Sequence, residues 1–185
     1  MTNLSRVLPL GCSLLFASAW IPVAAADGAL ATKAVGSKES TNLAVDGAFV
    51  NAAAVGGITE VKLGQLASSN GESASVKSFG QHMVEDHTKA NDELAGIAKA
   101  KGVVPPALPD KAHQAIVNKF SGLKGAAFDK AYWKQMHADH VKTVALFERE
   151  SAAGKDAEIK GFATRTLPTL NMHLQMVQDA MKGKG

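Results

Sequence analysis

Four ionisable side chains in this sequence occupy positions where helical spacing favours apolar residues: Glu60, His87, His140 and His173. Each lies on a different predicted helix, so packing of the helices would bury one polar group from each. Carboxylate and imidazole groups bind divalent metals, and burying them costs free energy unless a partner compensates. The pattern predicts a metal site built from these four residues. A purely structural network of buried Glu and His side chains is the alternative that the sequence leaves open.

The surroundings of these residues define the predicted site further. Glu60 lies on a stripe of small residues that would let a neighbouring helix approach closely. At about 1.5 Å of rise per residue, the four residues lie roughly 16 to 28 Å from their nearest turns. Convergence of all four therefore requires helix tilt, and a site that uses three of them is easier to build. His82 and His113 fall off the apolar stripes and are predicted to be surface residues.

An aspartate precedes two of the candidate histidines, as Asp86 precedes His87 and Asp139 precedes His140. Adjacent residues on a helix point about 100° apart, so neither carboxylate is expected to bind the same ion as the histidine beside it. We expect these aspartates to orient other side chains or to meet a neighbouring helix.

Apolar spacing predicts four long helices, over about 48–69, 73–101, 126–153 and 155–181, and a short one over 110–120. Glycine-containing turns separate the first pair and the last pair, whereas a long connection with three prolines joins the pairs. A short internal repeat, residues 68–79 against 151–162, suggests that the two hairpins are copies, with convergent turn chemistry as the alternative. This is an all-α protein, and its connection lengths predict a ferritin-like four-helix bundle over residues 47–182, with the short extra helix in the crossover.

The N-terminus predicts export. Arg6 is followed by an apolar run and by three alanines before Asp27, the layout of a secretory signal peptide over residues 1–26. Residues 27–46 are small and polar without a sustained period, and are predicted to be a flexible lead. The mature protein would then be periplasmic or associated with the cell envelope, without a transmembrane segment. Lipidation at Cys12, the only cysteine, is the competing interpretation.

Composition excludes some functions. The formal charge is +3, and it falls to +2 once Arg6 leaves with the signal peptide. Basic residues are mixed with acidic ones, so neither a basic stripe nor stacking aromatics indicate a nucleic-acid partner. No nucleophile-and-base arrangement indicates an enzyme, and the sequence specifies no protein partner.

Several segments together resemble the exported bacterial family known as domain of unknown function 4142: GQHMVEDHTKAN at 80–91, AFD at 127–129, DH at 139–140, ALFE at 145–148 and TLPTL at 166–170. The resemblance covers residues from about 48 to 181. It implies a ferritin-like four-helix bundle, sometimes described as an outer membrane protein, and no established activity. It also implies that Glu60, His87, His140 and His173 are the recurring polar positions of the family.

One departure from ferritin-like di-iron proteins bears on the metal. Those proteins place a Glu three residues before each of two histidines, whereas Val84, His137 and Leu170 stand at these positions here. A histidine-rich site for one zinc, copper, nickel or iron ion is therefore favoured over a di-iron centre. Two functions follow: a metal-binding bundle for storage, delivery or stress protection, or a non-catalytic envelope protein that engages a partner through its helical surface.

Overall fold

The computed structural model describes residues 36–183, with side chains from Asp46 onward. Within this range the chain forms helices and no strand, which confirms the all-α prediction. The signal peptide and the first part of the predicted lead lie outside the described residues. The helices are α1 (Gly36–Asn70), α2 (Ala74–Ala100), α3 (Lys111–Ser121), α4 (Gly125–Ala153) and α5 (Ala157–Met181).

Side-chain caps define the starts of three helices. Ser73 accepts a hydrogen bond from a backbone amide in the first turn of α2, and Asp110 and Asp156 do the same for α3 and α5. Each cap satisfies an amide that has no partner within its own helix. These short polar residues before an apolar run explain why the predicted boundaries of these helices agree with the observed ones to within two residues.

The start of α1 differs from the prediction. The helix begins at Gly36 instead of near residue 48, so it includes residues 36–46 of the predicted lead. Apolar periodicity in a sequence indicates that one face of a helix is buried. It does not report whether a segment without a buried face is helical. Residues 36–46 contain no proline, and a helix without a sustained apolar period is not detectable by that signal.

Polar contacts at the ends of the bundle set the helix directions. Asp129, near the start of α4, accepts hydrogen bonds of 2.8–2.9 Å from backbone amides of the α1–α2 turn. Asp46, in α1, accepts hydrogen bonds of 2.6–3.1 Å from backbone amides of the α4–α5 turn. The end of α1 therefore lies beside the start of α4, and an early residue of α1 lies beside the end of α4. These contacts show that α1 and α4 are antiparallel.

The other two long helices, α2 and α5, are also antiparallel neighbours. Lys101, at the end of α2, forms ion pairs of 2.8 and 2.6 Å with Asp156 and Glu158 at the start of α5. The connection between α2 and α4 therefore runs from one end of the bundle to the other, and its helix α3 packs against α1. A long crossover that carries a short helix was predicted from sequence, whereas a ferritin-like relationship stays a prediction.

The bundle has two apolar clusters, one towards each end. The first contains the rings of Phe49, Phe147 and Phe162, and the second contains Phe79 and Tyr132. Each of the four long helices contributes to both clusters. On every one of these helices, one of the four predicted site residues lies between its contributions to the two clusters. The site residues thus form a polar layer across the middle of the bundle.

Close approach of α1 and α2 depends on glycines in the small-residue stripe. A Cβ atom added to Gly64 would lie 2.5 Å from the carbonyl oxygen of Gly80 and 3.1 Å from Cβ of Met83. These distances are shorter than van der Waals contact, so only glycine fits at Gly64 without a shift of α2. The stripe thereby fixes the distance between the helices that carry Glu60 and His87.

No helix within residues 36–183 combines the length and the apolar character that crossing a membrane requires.

Candidate metal centre

Three of the four predicted site residues meet in the bundle interior. His87 on α2, His140 on α4 and His173 on α5 are all buried. Each can place one ring nitrogen so that the three nitrogens lie within 4.8 Å of one another. The ring centroids are 5.4–5.8 Å apart. Three helices therefore bring three imidazoles close together.

Two of these imidazoles are held by a hydrogen bond at one ring nitrogen, called here the outer nitrogen, and the other ring nitrogen is called the inner one. Nδ1 of His140 donates to the carbonyl oxygen of Met136 at 2.9 Å. Nε2 of His173 donates to a carboxylate oxygen of Asp86 at 2.8 Å. Because a carbonyl and an ionised carboxylate only accept hydrogen bonds, these contacts place the proton on the outer nitrogen. The lone pair of a neutral ring is then on the inner nitrogen, where a metal ligand needs it.

The inner nitrogens have no hydrogen-bond partner among the described residues. This holds for Nε2 of His87, Nε2 of His140 and Nδ1 of His173, all of which are shielded from solvent. Buried polar atoms without partners are uncommon, and each calls for an explanation such as strain, catalysis or a bound ion. Three on neighbouring side chains give the cluster the donor atoms to hold a metal ion.

The environment keeps the imidazoles neutral. Burial, together with the adjacent His173, lowers the pKa of His140 from 6.5 to about 4, against the raising effect of its hydrogen bond to Met136. Burial and the two neighbouring histidines lower the pKa of His87 well below its usual range. Burial also lowers the pKa of His173, although Asp86 acts in the opposite direction. Near pH 7 protons therefore compete little for the inner nitrogens.

Glu60 lies beside the histidine cluster but outside the group of mutually close ligand atoms. Its side chain is buried, and its Oε2 has no hydrogen-bond partner among the described residues. Together with His87 it lines an internal cavity of about 30 Å³. Burial raises the pKa of Glu60 well above its usual range, and the nearby carboxylate of Asp139 raises it further. The structure thus brings the three histidines together and leaves Glu60 next to them.

The prediction for the two aspartates agrees with the structure. Asp86 accepts a hydrogen bond from His173 on the neighbouring helix and thereby orients it. Among the described hydrogen bonds, Asp86 has none with the ring of His87, its neighbour in the chain. Asp139 is half-buried, accepts a hydrogen bond from Gln135 and lies near Glu60.

Tyr132 is a polar residue near the site that the sequence analysis did not identify. The phenol is buried in the second cluster, and its hydroxyl has no hydrogen-bond partner among the described residues. Burial and the charge of Glu60 raise its pKa well above the usual range, which places the hydroxyl in the electrostatic field of the site. A tyrosine on an otherwise apolar stripe was the available signal, because a buried phenol normally finds a partner.

The separation of the nitrogens bears on the chemistry of the site. A zinc ion bound at about 2.0–2.1 Å would hold tetrahedral ligands roughly 3.3 Å apart. Shared coordination therefore requires the imidazoles to approach by up to about 1.5 Å. Three neutral nitrogens suit zinc, copper, nickel or ferrous iron, and they leave at least one coordination position open.

Fold and site together define an all-helical bundle with a buried cluster of three histidines in its central layer. The chain belongs to the family described as Domain of unknown function (DUF4142), which its residues 30–180 match. Neither the curated proteins nor the solved structures include a match to this chain. The resemblance inferred from the motifs is therefore confirmed at the level of the family, and the ferritin-like and outer-membrane descriptions stay predictions.

Proposed function

We propose that this protein binds one divalent transition-metal ion per chain at His87, His140 and His173. The observation that carries the proposal is the arrangement of the ring nitrogens. The three histidines offer ligand atoms within 4.8 Å of one another, and each has one buried ring nitrogen without a partner among the described residues. The outer nitrogens of His140 and His173 are held by a carbonyl and a carboxylate. Histidines that bind metals are held in this way at the nitrogen that does not face the ion.

The size of the site favours delivery or buffering of single ions over bulk storage. The cavity beside the histidines has a volume of about 30 Å³, which is room for about one or two water molecules. A mineral core does not fit in this space. With the export signal predicted at residues 1–26, the ion would be held in the cell envelope, in delivery or in protection against metal stress.

The alternative is a structural network in a non-catalytic envelope protein. Such a network would need its members to bond one another, yet each of the four residues keeps one buried polar atom without a partner among the described residues. It would also need a charged histidine beside Glu60. Burial instead lowers the pKa of all three histidines and raises that of the carboxyl group. These observations favour the metal site.

Metal analysis of untagged protein tests the proposal. Protein purified without an affinity tag and dialysed against zinc should retain one equivalent per chain. At a free zinc concentration a hundredfold above the dissociation constant, the folded state should gain about 2.7 kcal/mol. Chelator should remove this gain. Unchanged melting temperatures with zinc and with chelator, and no retained metal, would contradict the proposal.

A further inference from the structure

A cleft on the surface of the bundle extends towards the buried centre. It has a volume of about 580 Å³ and lies among α1, α4 and the start of α3. Carboxylates from all three elements border it. They belong to Glu60, Asp110 and Asp139, and Lys142 is the lysine among the lining residues.

Glu60 belongs to the walls of both the cleft and the internal cavity beside His87. Its side chain is only 5% exposed, and Oε2 has no hydrogen-bond partner among the described residues. Gly56, one helical turn before it, also borders both spaces, and a Cβ atom added there would meet nothing within 4 Å. Open space beside Gly56 therefore lies where the cleft and the cavity come together.

The opposite side of α1 is less suited to a cation. A groove of about 680 Å³ lies there between α1, α2 and the crossover, lined mainly by apolar residues, with Lys62 and Lys99 against the single carboxylate of Asp92. Between this groove and the cavity, Gly57 packs so closely on Asn91 that an added Cβ atom would overlap the amide group. The tight contact closes this side of the site.

We propose that the divalent cation reaches the three histidines through the cleft between α1 and α4, and that Glu60 transfers it from the cleft to the internal cavity. This inference rests on the proposed metal-binding function. A carboxylate oxygen is a ligand for the same cations, and Glu60 lines both spaces. An arriving cation would displace the proton that burial favours on this carboxyl group.

Blocking the passage tests the route. In Gly56→Leu, the side chain should fill the open space and slow both uptake of Co²⁺ and its release to chelator by about tenfold or more. The dissociation constant should change much less, because a route affects both directions equally. Gly96→Leu is the matched control, since Gly96 is exposed on α2 and an added Cβ atom there also meets nothing within 4 Å. Circular dichroism checks that both variants are folded.

The charges of the cleft give a second test that leaves the passage open. Asp139→Asn should slow uptake of Co²⁺, whereas Lys142→Gln should accelerate it, and both effects should shrink in high salt. Lys134→Gln removes a lysine from an exposed position of the same helix outside the cleft, and should leave the rate unchanged.

Glu60→Gln separates transfer from permanent coordination. Loss of a transfer group should slow both uptake and release, whereas loss of a ligand to the bound ion should accelerate release. Faster release with unchanged uptake would overturn the transfer role, and uptake rates in Gly56→Leu equal to those in Gly96→Leu would overturn the route. If wild-type protein binds no Co²⁺, the proposed function fails and the route fails with it.

Discussion

Asp86 on α2 accepts a hydrogen bond of 2.8 Å from Nε2 of His173 on α5, two helices that run antiparallel. The next residue, His87, contributes its own ring to the same histidine cluster. One short segment of α2 therefore supplies one candidate ligand and orients another. This arrangement explains how two adjacent residues that point about 100° apart can serve a single site.

Removing the carboxylate of Asp86 should weaken metal binding. In Asp86→Ala, Nε2 of His173 loses its acceptor, so the ring and its proton are no longer fixed. We expect the dissociation constant for zinc to rise about 10–100-fold. Glu85→Ala removes a carboxylate from the adjacent exposed position and should have little effect. Equal weakening in both variants would indicate that only the net charge matters.

His140 should contribute a loss of stability to the metal-free protein on acidification. The folded-state pKa of about 4 lies below the unfolded value of 6.5, so the unfolded state takes up the proton first as pH decreases. The resulting loss amounts to about 3 kcal/mol between pH 6.5 and 4. Glu60 and Glu150 act in the opposite direction, because burial raises their folded-state pKa values, that of Glu150 to about 7.

The contribution of His140 can be isolated by comparing wild-type protein with His140→Gln in the presence of chelator. As pH falls from 6.5 to 4, the unfolding free energy of wild-type protein should decrease more than that of the variant, because the variant has no imidazole to protonate at this position. His82→Gln, on the exposed face of α2, controls for removal of a titratable ring. A smaller decrease in wild-type protein than in the variant would mean that His140 is charged in the folded state, as a structural ion pair requires.

The glycine stripe of α1 should be intolerant of even one methyl group. Gly64→Ala places a Cβ atom against the backbone of Gly80, and we expect it to destabilise the protein by about 1–3 kcal/mol. Gly96→Ala introduces the same group into open space in a helix, and should stabilise by about 0.5–1 kcal/mol. Urea unfolding measures both. Equal effects would show that α1 and α2 can separate without cost.

Local sequence signals predicted the helices well where a face is buried or a cap is present. They failed at the start of α1, because residues 36–46 lack a sustained apolar period. The polar layer was predictable since Glu60 and the three histidines interrupt apolar stripes. The convergence of the three histidine side chains was not predictable, because helix tilt decides which side chains meet. The cleft could not be predicted from the sequence either, because it depends on how α3 packs against α1.

X-ray absorption spectroscopy of the zinc-loaded protein tests the central claim most directly. We predict a first coordination shell with three imidazole nitrogens at about 2.0–2.1 Å. The double variant His87→Ala with His140→Ala should lose this shell and stoichiometric binding, whereas His82→Ala should keep both. A shell made of oxygen atoms alone, or the same imidazole signal in the double variant, would contradict the three-histidine site.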